Sequence, residues 1–98
     1  MPRTAGIIAQ ALYEEGVRYA FGIPGGEVLE LLDAFRTAGI KFVLTKHEMG
    51  AGMMAEASYQ LTGRPGVLVA TLGPGITNTT TAVAQALLDR SALLVITG

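Results

Sequence analysis

Four short apolar runs rich in β-branched residues, at 17–23, 40–44, 66–70 and 93–96, are each separated from the next by a single helical pattern. Strands joined in this way take right-handed crossovers. The alternation therefore predicts an α/β fold: a doubly wound parallel sheet with helices on both faces. Val67-Leu68-Val69-Ala70 is continuous in hydrophobicity, as expected of a strand buried on both faces.

Cap and turn chemistry sets the helices between them. Thr4 is the expected N-cap of a first helix that carries Ile7, Ile8, Ala11 and Leu12 on its buried face and ends at Gly16. Pro24-Gly25-Gly26 forms a tight loop into a second helix, with Val28, Leu29, Leu31, Leu32 and Phe35 inward and Gly39 as its stop. A third helix runs from Glu48 to about Leu61, with Met53, Met54 and Ala57 packed inward until Gly63 and Pro65 close it. Gly73-Pro74-Gly75 turns the chain into a fourth, with Ala82, Val83, Ala86 and Leu87 on its buried side.

Composition narrows the function classes. The 98 residues make one domain at most, and half of them are hydrophobic against 15% charged. Part of so apolar a surface is expected to meet another domain or chain. A net charge of −1 with scattered Lys and Arg provides no basic field, so nucleic acid is not an expected partner. Without cysteine, neither a disulfide framework nor a thiolate metal site can form. The apolar stretches break well before the ~20 residues of a membrane span, and the N-terminus lacks a signal-peptide layout, so the expectation is a cytoplasmic protein without a membrane partner. Because the chain stops just past a core strand, residues 1–98 read as the front part of a larger protein, with no second domain inside them.

Glu48 stands where an apolar strand ends and a small-residue helix begins, in Lys46-His47-Glu48-Met49-Gly50-Ala51-Gly52. Small residues downstream would let a flat ligand approach its carboxyl group at the sheet edge, where open α/β folds bind ligands. A first-turn acid favoured by the helix dipole is the plainer alternative. Two glycine turns also follow strands: Gly22-Ile23-Pro24-Gly25-Gly26 and Gly73-Pro74-Gly75-Ile76-Thr77-Asn78. Each alone is an ordinary strand-to-helix turn. Neither is G-x-G-x-x-G, and Thr45-Lys46 supplies no acid for a ribose, which weakens a dinucleotide-binding reading. Together with the Glu48 turn they converge on one end of the predicted sheet, because each follows a parallel strand.

The series Phe21-Gly22-Ile23-Pro24-Gly25-Gly26, His47-Glu48-x-Gly50-Ala51, Ala55-Glu56-Ala57, Thr62-Gly63 and Gly73-Pro74-Gly75-x-Thr77-Asn78 resembles, in order and spacing, a known domain. It is the N-terminal pyrimidine-binding domain of thiamine-diphosphate-dependent enzymes of the acetolactate synthase, pyruvate oxidase and benzoylformate decarboxylase superfamily. Five short motifs joined at family spacing are far more specific than any one of them.

The resemblance implies a catalytic Glu48, whose carboxyl group bonds the pyrimidine ring nitrogen and favours the imino tautomer of the cofactor's exocyclic amine. By the same resemblance, Glu48 would in this way let the amine take the proton from the thiazolium carbon. It further implies that Pro24, Gly25 and Gly26 line the substrate end, and that Gly73, Pro74, Gly75 and Asn78 approach the pyrimidine and the neighbouring subunit. His47 is expected to be structural. The implied function is decarboxylation or carboligation of a 2-oxo acid, closest to the synthase-like branch. Only the pyrimidine end of the cofactor would bind here. By the same resemblance the diphosphate and its Mg²⁺ would bind a Gly-Asp-Gly…Asn motif in a separate C-terminal domain, usually of the partner subunit in a homodimer or homotetramer, and these 98 residues hold no such motif. FAD is compatible with the resemblance, but no residue here indicates it. Ala57-Ser58-Tyr59 stands where many relatives have Gly-Tyr-Ala, and Leu72 where synthase-like members have Ser. A non-catalytic binding or subunit-association module with the same fold is the alternative.

Overall fold

The computed structural model describes residues 4–98. Its elements are α1 (Thr4–Glu14), β1 (Tyr19–Gly22), α2 (Leu29–Ala38), β2 (Lys41–Leu44), α3 (Glu48–Thr62), β3 (Gly66–Ala70), α4 (Thr80–Leu88) and β4 (Leu93–Thr97), with short 3₁₀ turns at Gly26–Val28 and Ile76–Thr79. All four strands are parallel, in the order β2-β1-β3-β4. The chain steps outward from β1 to β2, then crosses back to β3 and on to β4, so α1 and α2 cover one face while α3 and α4 cover the other. This is the doubly wound arrangement that the alternation predicts.

β3 is buried along its whole length. Val67 and Val69 join Ala9, Val17, Ala20, Val28, Leu31, Phe35 and Ile40 in the core beneath α1 and α2. Leu68 faces the other way, toward α3. Gly16, Gly39 and Gly63 all take positive φ at the ends of α1, α2 and α3, the left-handed stop that a side chain would strain.

Which face each helix buries departs from expectation in a consistent direction. In α1 the inward residues are Ala5, Ala9, Leu12 and Tyr13, whereas Ile7, Ile8 and Ala11 are exposed. In α3 the buried stripe is Glu48, Ala51, Gly52, Ala55 and Glu56; Met54 and Ala57 point to solvent and Met53 is half-buried. In α4 Ala82 and Ala86 are buried, while Val83 and Leu87 are exposed. Small residues go inward because these helices pack close. A Cβ built on Gly52 would sit 2.4 Å from the Ala82 Cβ. Of the four helices only α2 fully buries bulky side chains, Leu31 and Phe35, and there too Leu29 turns outward. Thr4 is the first residue of α1 and not its cap; the position before it lies outside the described residues.

The register brings the carboxyl ends of the strands level, pairing Gly22 with Leu44 and with Val69, and Ala70 with Thr97. The loops after β1, β2 and β3 therefore share one edge of the sheet.

Candidate active site

β2 ends at Leu44, and the Thr45 N–H donates to the Gly22 carbonyl at 3.0 Å, which ties the loop after β2 to the end of β1. Gly22 is needed there. A Cβ on it would lie 1.9 Å from the Val69 carbonyl oxygen of the neighbouring strand. His47 then caps α3: its backbone is extended, and its Nδ1 accepts the Met49 N–H at 3.0 Å. A nitrogen that accepts is unprotonated, so the proton of a neutral ring is on Nε2. One of the free N–H groups of the helix start is thereby satisfied, and His47 has a structural occupation.

Glu48 follows as the first residue of α3. It lies on the buried stripe of that helix, and only 7% of its surface is exposed. Its Oε1 accepts a hydrogen bond from the Asn78 Nδ2 at 3.2 Å. Among the described residues no hydrogen bond reaches Oε2.

The loop after β3 holds Asn78 in place. Its Gly73–Pro74 peptide is cis. The Asn78 N–H donates to the Pro74 and Gly75 carbonyls, and three threonine hydroxyls donate three residues back: Thr77 to Pro74 at 2.9 Å, Thr79 to Ile76 at 2.6 Å and Thr80 to Thr77 at 2.8 Å. Side-chain-to-backbone bonds of this kind stabilise turns.

Glu48 and the Gly73–Asn78 turn are thus brought together. Pro24, Gly25 and Gly26 lie at the same sheet edge, after β1, yet among the described residues no hydrogen bond joins them to Glu48. Gly75 is buried and Gly25 half-buried; Pro24, Gly26, Gly73, Pro74 and Asn78 are exposed. A groove of about 350 Å³ lies elsewhere, between α1 and α2, lined by residues that include Gln10, Asp33 and Thr37.

Two features escaped the reading of residues alone. The bond from Asn78 to Glu48 spans thirty positions and leaves no local signal. Glu56, four residues after Gly52 on the inward stripe, is 4% exposed, and its Oε2 is buried without a hydrogen bond among the described residues. Its helical spacing from Glu48 was the available clue.

The family model described as thiamine pyrophosphate enzyme, N-terminal TPP binding domain, matches residues 2–98. The chain belongs to this family. It is 47% identical, over 95% of its length, to a probable 2-ketoarginine decarboxylase of Pseudomonas aeruginosa. It is 43% identical over 93% of its length to the acetolactate synthase isozyme 2 large subunit of Escherichia coli, and 40% identical over 96% to the acetolactate synthase large subunit of Buchnera aphidicola. In each case the chain covers 17% of the relative. It corresponds to the N-terminal domain of thiamine-pyrophosphate enzymes. Among the described residues no helix is long and apolar enough to cross a membrane, and no cluster of three metal-ligating side chains occurs.

Proposed function

We propose that this chain is the pyrimidine-binding front part of a thiamine-diphosphate-dependent enzyme that acts on a 2-oxo acid, by decarboxylation, carboligation or both. The observation that carries the reading is the burial of Glu48 at the carboxyl edge of the sheet, where Asn78 holds one oxygen and no described residue bonds the other. The surroundings suit a flat ring. A Cβ built on Gly26, Gly50 or Gly73 would meet nothing within 4 Å, so the backbone leaves open space at that edge.

The cofactor, when bound, supplies a nucleophilic thiazolium carbon for addition to the 2-oxo group. Glu48 would exchange a proton with the pyrimidine ring nitrogen through Oε2, acting as a general acid–base group. Pro24, Gly25 and Gly26 line the substrate side, and Gly73, Pro74 and Gly75 border the pyrimidine. A relative named for decarboxylation and relatives named for acetolactate synthesis support a 2-oxo acid and leave both outcomes in the proposal.

In this proposal the diphosphate and Mg²⁺ are bound outside these residues, in a separate C-terminal domain contributed by a partner subunit. The outward side of α3 and α4 is where that partner would pack. Met49, Val83, Leu87 and Leu88 are all exposed there.

The test is Glu48→Gln in the complete protein, with the exchange rate of the thiazolium proton as readout. The amide keeps the size but cannot carry the proton, so exchange falls by about 100-fold or more. Exchange at the wild-type rate would reduce Glu48 to a helix-start acid.

A further inference from the structure

Oε1 and Oε2 of Glu48 have different surroundings, and Asn78 is the cause: its amide engages Oε1 at 3.2 Å, whereas no described residue bonds Oε2. The turn that carries Asn78 is pinned at Thr77, Thr79 and Thr80 by hydroxyl bonds to the backbone, so the amide is delivered by a stiff segment. From this geometry we infer that Asn78 is the positioning residue for Glu48, fixing Oε1 so that Oε2 alone faces the aminopyrimidine. The inference rests on the proposed role of Glu48.

The choice of an amide has a chemical reason. An ionised carboxylate only accepts hydrogen bonds, and the Asn78 NH₂ donates to it. When Oε2 carries the proton, Oε1 is still a carbonyl oxygen and goes on accepting from the same NH₂. Asn78 can therefore stay bonded to Glu48 on both sides of a proton transfer. Aspartate would oppose the ionised state by like charge, and leucine would bond neither state.

Two measurements on the complete protein decide the matter. The first uses cofactor-free protein labelled with ¹⁵N at asparagine side chains. If the pair exists in solution, the Asn78 amide resonances move in Glu48→Ala; resonances that ignore this substitution overturn the inference.

The second is a double-mutant cycle on thiazolium proton exchange. Asn78→Leu is expected to slow exchange about 10- to 100-fold at saturating cofactor, the worth of one hydrogen bond to a charged group. Asn78 is exposed, so folding is preserved, and Asn78→Asp gives an isosteric second variant expected to slow exchange as well. Added to Glu48→Gln, Asn78→Leu should cost nothing more, because it acts through the carboxylate. Additive losses, or wild-type exchange in Asn78→Leu, overturn the positioning role while Glu48 keeps its own. Wild-type exchange in Glu48→Gln overturns the underlying reading instead, whatever the amide resonances do.

Discussion

Gly52 of α3 lies so close to Ala82 of α4 that a Cβ on the glycine would come within 2.4 Å of the alanine Cβ. This contact is one helical turn beyond Glu48 on one side and Asn78 on the other. The absence of a side chain at position 52 therefore helps set the separation at which the amide meets the carboxylate.

The Gly52 contact yields a paired prediction. In Gly52→Ala the gain in helix propensity is about 1 kcal/mol. The clash is with a Cβ anchored to buried backbone, and such overpacking costs about 1 to 3 kcal/mol. The expected result is a lower denaturation midpoint in the complete protein, together with slower thiazolium proton exchange as α4 is pushed from α3. Gly50→Ala is the stability control, since its Cβ meets nothing within 4 Å, and a midpoint equal to or above wild type is expected. A Gly52→Ala midpoint equal to that of Gly50→Ala would show that the helices separate without cost.

His47 yields a second. Its ring nitrogen satisfies the Met49 N–H, so His47→Ala is expected to cost about 0.5 to 2 kcal/mol through loss of the cap. His47→Asn can supply a side-chain oxygen at the same place and should recover most of that loss. Equal stability of all three proteins in denaturant titrations would mean that the cap is dispensable.

The outward face of α4 yields a third. Leu87 is 78% exposed and Leu88 82%, and Val83 lies one turn before Leu87. A charge at an exposed position such as Leu87→Glu should change folding stability by no more than about 0.5 kcal/mol. Inserted into a buried subunit contact, the same charge is strongly unfavourable. Sedimentation of the complete protein at micromolar concentration is expected to show a smaller species for Leu87→Glu than for wild type. An unchanged oligomer would place the contact elsewhere.

Element identity was legible from the sequence because its causes are local. Strand-forming residues cluster within four or five positions, and Gly16, Gly39 and Gly63 stop helices through their own φ angles. Single helices between strands settled the parallel sheet, because few other connections are possible. The place of Glu48 at a strand-to-helix turn was equally local. Helix faces were not. α1 has Ile7, Ile8, Ala9, Ala11 and Leu12 in near succession, so hydrophobicity alone leaves its inward direction open, and the close approach of α2 selects the alanines. In α3 and α4 the same selection favours Gly52, Ala55, Ala82 and Ala86 over Met54 and Leu87. Tertiary structure alone decided the strand order β2-β1-β3-β4, the burial of Glu56 and the bond from Asn78 to Glu48. The physical reason is range: turn chemistry and periodicity act over a few residues, whereas a hydrogen bond across thirty positions exists only once the sheet has aligned its loops at one edge.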